Sequence, residues 1–295
     1  MRTLLALRPS LPEFLKQVAI LAFAATAIFF STRALGLPSG QHSIAFLLAF
    51  ACGILDSAVG MGYGTALTPL LLVIGLPPTE AVPAVLVSQI FVGFIASGVH
   101  NQMGNVKFNV SSEHSKTALR LLVGGLIGVS IGALLVLHVS KNAFQLIIAG
   151  IVIFTGFVMF KTRKAKSSHQ DKPSPVLRVG LSFVGALAGF NKVVSGGGCG
   201  PLMTSGQIVN GVDEKAAAGI SSLVKGLISI TGLSILWSQG AARNIGGIGF
   251  IVAGAAIAPF LGAKLVKARS NSDLRMWIAA ATICLGFVSL LKAVM

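Results

Sequence analysis

Charge is what this sequence has least of: only 11% of its 295 residues are Asp, Glu, Lys or Arg, against about 25% in a typical soluble domain. A surface so poor in charge is not built for water on all sides, which excludes ordinary soluble enzymes. Acidic residues are scarcer still, 8 against 23 basic ones, and neither paired carboxylates nor a serine–histidine–acid grouping has any support, so no enzyme activity is expected. Cysteine occurs three times, at Cys52, Cys199 and Cys284. All three lie in apolar or glycine-rich stretches without metal-ligand spacing, so neither a disulfide framework nor a zinc site is implied. No G-x-x-x-x-G-K-[ST] occurs, so ATP is not the direct energy source. No cofactor or metal is expected.

What the chain has is apolar length. Hydrophobic residues make up 54% of it, with 35 glycines and a mean hydropathy of +0.86. Apolar runs recur along the whole length, the signature of an integral membrane protein. In a soluble chain the net charge of +15 would suggest nucleic acid; in a membrane protein lysine and arginine collect in cytoplasmic loops, so the charge reports topology and no nucleic-acid partner is expected. The basic start (Arg2, Arg8, Lys16) and the apolar run from Val18 to Phe30 imitate a signal peptide. Arg33 and Pro38 follow without a small-x-small cleavage site, so residues 1–42 are expected to hold a retained N-terminal transmembrane helix.

Apolar spans lie near 17–35, 43–58, 65–75, 79–98, 117–138, 143–160, 177–194, 201–210, 214–237, 246–264 and 275–294. Two of them, 65–75 and 201–210, would form only about 15 Å of helix, half of a hydrocarbon core of roughly 30 Å. Each follows a glycine cluster, Gly60-Met61-Gly62-Tyr63-Gly64 or Gly196-Gly197-Gly198-Cys199-Gly200. Sliding the sequence on itself by about 136 residues superimposes the two breaks. Gly53 then falls on Gly189, Gly60, Gly62 and Gly64 on Gly196, Gly198 and Gly200, and Thr68, Val73, Gly75 and Ala81 on Thr204, Val209, Gly211 and Ala217.

Charge decides how the duplicated units are threaded. If each broken segment crossed the membrane once, the basic stretch 161–178 and the loop holding Lys264, Lys267, Arg269 and Arg275 would lie on opposite sides, against the positive-inside rule. If each is a re-entrant hairpin, both loops share a side with the N-terminus and with Lys107, Lys116 and Arg120, leaving only Arg33, Lys141, Arg243 and Lys292 outside. The expected fold is therefore an all-α polytopic membrane protein with an inverted repeat: an extra N-terminal helix, a first repeat at 43–160 (hairpin 43–75, helices 79–160), a basic cytoplasmic linker at 161–176, and a second repeat at 177–295 (hairpin 177–210, helices 214–294). The N-terminus is expected in the cytoplasm of a bacterial cell, the protein in its inner membrane. Glycine kinks in ordinary crossing helices are the alternative. Inverted repeats with broken helices are a transporter architecture, with the site at the midplane.

The two breaks carry the chemistry. Thr65 and Pro201 are expected to begin the short helices, threonine capping free amides and proline fitting the first turn. Free amides and positive dipole ends then converge at mid-membrane and favour an anion. Ionisable residues inside the membrane are functional candidates by default. Asp56 and Lys192 precede the two glycine clusters by the same interval, and Lys225 corresponds to Gln89. The expected substrate site comprises Gly62, Tyr63, Gly64, Thr65, Gln89, Asn191, Lys192, Ser195, Gly198, Cys199, Gly200 and Lys225, with Asp56 as the coupling residue. A structural ion pair between Asp56 and Lys192 is the competing reading of those two positions. Ser57, Thr68, Thr204 and Ser205 are weaker donors, Glu80, Asp213 and Glu214 read as charges complementing helix starts, and His100 and His114 fall in an expected cytoplasmic loop.

The stretch Asp56-Ser57-Ala58-Val59-Gly60-Met61-Gly62-Tyr63-Gly64-Thr65 and its counterpart Gly196–Ser205 resemble the duplicated glycine motifs of the sulfite exporter TauE/SafE family of bacterial anion transporters, and the resemblance spans roughly 43–292. It implies export or uptake of sulfite, a sulfonate or a related small anion. The reading is a secondary transporter moving a small oxyanion by alternating access around the two hairpin tips, with the proton as coupling ion. A passive small-anion channel is the alternative. Its partners would be the small anion, the proton and the lipid bilayer, with monomer and homodimer both open.

Overall fold

The computed structural model describes residues 39–60, 62–136, 138, 140–162, 175–196, 199–240 and 248–265, with helical positions 280, 283, 284, 287 and 290. The expected N-terminal helix, most of the basic linker and most of the last helix lie outside these residues. Among the described residues the regular elements are α-helices: α1 (Ser39–Val59), α2 (Tyr63–Val73), α3 (Pro78–Gln102), α4 (Glu113–Val136), α5 (Lys141–Thr162), α6 (Pro175–Ser195), α7 (Cys199–Val209), α8 (Glu214–Ser238) and α9 (Ile248–Leu265). Three of them, α3, α4 and α8, are long and apolar enough to cross a membrane. On α4 the outward face carries Leu119, Val123, Leu126, Ile127, Ile131 and Leu134, all exposed. A surface of that kind suits hydrocarbon and not water.

The short helices α2 and α7 each have 11 residues, about 16 Å of rise. Both start two residues before the expected Thr65 and Pro201, because the chain turns earlier. Gly62, the residue before α2, has φ of +123°, without a side-chain cap. Pro201 remains within the first turn of α7, where its missing N–H is harmless. The long helices start as their end residues dictate: Pro78 opens α3 with Glu80 in its first turn, and the Asp213 carboxylate caps α8 by accepting from the amides of Lys215 and Ala216 at 2.9 and 3.3 Å.

Small residues set the packing. The most extensive helix pairs are α4 with α6, α1 with α9, and α3 with α8. Along α4, Gly124 and Gly128 lie against the carbonyls of Ser182 and Ala186, and from α6 Gly185 and Gly189 lie against those of Leu121 and Gly125. At the other seam Gly254 and Gly262 meet the carbonyls of Phe46 and Ile54, and a Cβ on Gly53 would come within 2.6 Å of that of Ala258. Lipid tails are as apolar as leucine, so helices in a bilayer associate through such close backbone approach and dispersion, not by escaping water. Two apolar clusters flank the centre, one including Tyr63, Leu67, Leu71, Val85 and Leu86, the other Leu121, Leu181, Met203, Val224 and Ile228.

Candidate functional site

The two breaks in the chain meet. α1 is followed by Gly60 and α6 by Gly196, with φ of +74° and +77°, a left-handed conformation that glycine adopts without steric cost. A Cβ on Gly60 would stand 2.7 Å from the Cα of Ala218 and 3.2 Å from Thr204 Oγ1. A Cβ on Gly196 would stand 3.2 Å from the Cα of Val82 and 2.8 Å from Thr68 Oγ1. These surroundings correspond residue by residue under the internal shift: Gly60 with Gly196, Ala218 with Val82, Thr204 with Thr68. Each turn is seated on the short helix and the long helix of the other half.

Four polar side chains fill the space below the turns. Asp56, in the last turn of α1, accepts from Lys225 Nζ of α8 at 2.8 Å through Oδ1 and 2.7 Å through Oδ2. Lys225 also reaches the Gly60 carbonyl at 3.3 Å. Gln89 of α3 donates through Nε2 to Asp56 Oδ2 at 3.4 Å, and its Oε1 accepts from Lys192 Nζ of α6 at 3.0 Å. The α2 helix adds its first amide, Tyr63 N–H to Asp56 Oδ1 at 3.4 Å. All four side chains are buried, Lys192 at 0% and Lys225 at 1% exposure. A buried ion pair of this kind is held by its geometry; removing either partner leaves an uncompensated charge in a dry site.

The same exchange relates the two contacts. Asp56 corresponds to Lys192 and Lys225 to Gln89, so Asp56–Lys225 and Lys192–Gln89 are the same pair of positions taken once from each side. One contact is a salt bridge and the other joins an ammonium to a neutral amide. The cation on Asp56 is thus Lys225 and not Lys192, which reaches the carboxylate only through Gln89.

The remaining expected site residues divide. Tyr63 is fully buried beside the cluster, and its hydroxyl donates to Ser88 Oγ at 2.7 Å. Gly64, Asn191, Cys199 and Gly200 are buried at the two tips, and Gly198 lies outside the described residues. Thr65 does not cap free amides as expected: the helix starts before it, and its hydroxyl donates back to the Gly62 carbonyl at 3.1 Å. Ser57 and Ser195 likewise bond carbonyls of their own helices, Gly53 at 2.8 Å and Asn191 at 2.7 Å. Small hydroxyl residues in helices commonly bond back one turn in this way.

Sequence reasoning missed two groups. His100 is not in a loop: it sits in the last turn of α3 with 1% exposure. Its Nε2 lies 3.2 Å from the Ser57 carbonyl and its Nδ1 3.1 Å from Asn105 Nδ2. The two ring nitrogens are thus each within hydrogen-bonding distance of a polar group. The second group is a chain on α7 and α8: Thr204 Oγ1 donates to the Gly60 carbonyl at 2.7 Å, Ser221 Oγ lies 2.9 Å from Thr204 Oγ1, and Gln207 Nε2 donates to Ser221 Oγ at 2.7 Å. Of this chain the sequence offered Thr204 as a weaker donor; Ser221 and Gln207 were missed, although a glutamine inside a short apolar helix is a signal.

No group of three or more histidine, cysteine or acidic residues able to hold a metal occurs among the described residues. Two buried ammonium groups, one of them on the Asp56 carboxylate, and the first amide of α2 thus meet at one centre.

Residues 45–288 match the family described as sulfite exporter TauE/SafE. The chain is also similar to "Probable membrane transporter protein YtnM" of Bacillus subtilis (strain 168), 28% identical over 209 residues that cover 66% of this chain and 67% of that protein. The chain belongs to the sulfite exporter TauE/SafE family and is a membrane transporter.

Proposed function

We propose that the chain is a secondary transporter that moves a small oxyanion, a sulfite, a sulfonate or a related organic anion, across the inner membrane by alternating access around the tips at Gly60–Gly64 and Gly196–Gly200. The observation that carries this reading is Lys192: an ammonium at 0% exposure whose hydrogen-bond partner is the amide of Gln89. A cation buried without a carboxylate is costly, and an anion relieves that cost. Burial of Asp56, Lys192 and Lys225 together supports a site closed to both sides, as alternating access requires and a continuous channel pore does not.

The architecture we propose is the inverted repeat, 43–160 and 177–295, each a re-entrant hairpin with three crossing helices, joined by the cytoplasmic linker 161–176 after a first helix within 1–42. The reciprocal seating of Gly60 and Gly196 supports two equivalent units, and the distribution of basic residues supports their inversion. Single cysteines introduced at Lys164 and Ser270 in a cysteine-free background are expected to react with a membrane-impermeant reagent only from the cytoplasmic face. Labelling from opposite faces contradicts the inversion.

Coupling falls to Asp56. Anion binding draws Lys192 and Lys225 toward the substrate and frees the carboxylate to take a proton, so anion and proton cross together. In liposomes holding the purified chain, an imposed proton gradient is expected to drive accumulation of radiolabelled sulfite above its equilibrium level. Downhill equilibration alone would make the protein a passive channel. Asp56→Asn is expected to keep anion binding and lose the stimulation; full proton-driven accumulation in that variant returns Asp56 to a structural role.

A further inference from the structure

Among the described residues, every contact on the Asp56 carboxylate comes from a donor. Lys225 Nζ lies 2.8 Å from Oδ1 and 2.7 Å from Oδ2, the Tyr63 backbone N–H 3.4 Å from Oδ1 and Gln89 Nε2 3.4 Å from Oδ2. An ionised carboxylate accepts from all of them, whereas a protonated one carries an O–H that must itself find an acceptor. An ammonium and a backbone N–H can only donate. A glutamine differs, since half a turn about its last side-chain bond puts Oε1 where Nε2 stands. Of these contacts, Gln89 is the one able to accept from a protonated Asp56.

The other end of the same amide holds Lys192, whose Nζ donates to Gln89 Oε1 at 3.0 Å. With the amide turned, its NH2 group would face the ammonium, donor against donor. Both side chains are fully buried, so a hydrogen bond lost there is not made good by bulk water. A proton on Asp56 held by Gln89 and a Lys192 held by Gln89 therefore exclude each other.

We infer that Gln89 is the relay between proton and anion: protonation of Asp56 at Oδ2 turns the amide, the turn releases Lys192, and the released ammonium takes the anion. Conversely, an anion on Lys192 leaves the amide free to accept from the protonated acid. The inference rests on the coupling role proposed for Asp56 above and names the side chain that carries it. The covalent change is one O–H bond formed on Oδ2, its proton supplied by water on the side to which the site is open. The titratable groups that face Asp56 among the described residues are Cys52 of α1, Tyr63 of α2, His100 of α3, Lys192 of α6, Cys199 of α7 and Lys225 of α8. Of these, Lys225 bonds the carboxylate through its side chain, and it has the Gly60 carbonyl at 3.3 Å as a second partner.

Methanesulfonate is the probe of choice, because it does not titrate in the neutral range. Its affinity for the full chain in lipid nanodiscs is read by calorimetric titration. The occupied site holds one proton more than the empty one, so affinity rises as pH falls, and between about pH 8 and about pH 6 the wild type is expected to gain at least about tenfold. Gln89→Met keeps Asp56 and both lysines but has no amide to turn, and is expected to bind with one affinity at both pH values. The wild-type pH dependence in Gln89→Met, as a direct field between anion and carboxylate would give, overturns the relay while leaving Asp56 as the coupling residue. Asp56→Asn presents a permanent N–H donor to Gln89 and is expected to show the wild type's low-pH affinity at both values. Infrared difference spectra of the wild type with isotope-labelled glutamine keep the test open should Gln89→Met fail to fold. Adding methanesulfonate is expected to raise a protonated-carboxyl band and shift a glutamine carbonyl band together; a carboxyl band without a glutamine shift overturns the relay. Equal wild-type affinity at both pH values contradicts the coupling role of Asp56, and no binding by the wild type contradicts the anion site itself; either takes the inference with it.

Discussion

The two halves of the centre use the same scaffold for different chemistry. In each, a glycine at the end of a long helix turns the chain, a threonine of the opposite short helix approaches that glycine, and a polar side chain one turn earlier reaches across to the opposite long helix. In one half that side chain is Asp56, clamped by Lys225 at 2.7 and 2.8 Å. In the other it is Lys192, resting on the Gln89 amide at 3.0 Å. The surroundings differ in the same sense: Thr204 donates to the Gly60 carbonyl, whereas the buried Thr68 hydroxyl has no hydrogen-bond partner among the described residues. The departures from the match leave one half with its own counter-charge and the other with a lysine held by a neutral amide. The lesson is that matched positions build the frame, while departures from the match decide where a buried charge finds its counter-charge.

Breaking the locked half should have the largest effect. Asp56→Ala strands Lys225 in the dry centre and is expected to destabilise the protein by about 3–5 kcal/mol, whereas Gln89→Ala loses hydrogen bonds without stranding a new charge and is expected to cost about 1–3 kcal/mol. Thermal unfolding in detergent micelles reads both, and equal losses would remove the distinction between lock and ligand half. Next come the turns. Gly60→Ala forces a side chain into a left-handed conformation and against the backbone of Ala218 at 2.7 Å, an expected loss of about 2–3 kcal/mol. Gly196→Ala carries the same backbone strain but meets first the side-chain oxygen of Thr68, at 2.8 Å, which can rotate, so its loss should be smaller. A reversed order would mean that the two seats are not packed as described.

These contrasts also mark how far the sequence could be read. The glycine clusters, the shortness of the helices after them and the correspondence of Asp56 with Lys192 and Gln89 with Lys225 are all visible in the residues, because a repeat leaves matched positions behind. Which lysine pairs with Asp56 is not visible. A shift that aligns Asp56 with Lys192 matches positions along the chain and says nothing of which side chains touch, so the contact with Lys225 leaves no trace in it. Thr65 misled for a local reason: a threonine after a glycine run reads as a cap, yet the turn made by Gly62 starts the helix earlier and leaves the hydroxyl to bond backward. His100 was hidden by its company, since Asn101, Gln102 and Gly104 resemble a loop although the helix continues through Gln102.

The smallest effects should separate the two threonines. Thr204→Val removes the donor to the Gly60 carbonyl and is expected to cost about 1–2 kcal/mol. Thr68→Val removes a hydroxyl without a partner among the described residues and should change stability by no more than about 0.5 kcal/mol. Chemical denaturation of the two variants side by side checks this, and a loss in Thr68→Val equal to that in Thr204→Val would mean that both turns are held alike.

The central claim, that the uncompensated lysine is the anion's partner, is tested most directly by calorimetric titration of sulfite into purified wild-type, Lys192→Met and Lys164→Ala proteins in the same lipid nanodiscs. The account predicts that Lys192→Met loses about 2–5 kcal/mol of binding free energy, the range for removing one partner of a desolvated charged contact, while Lys164→Ala binds as the wild type does. Wild-type affinity in Lys192→Met would contradict it.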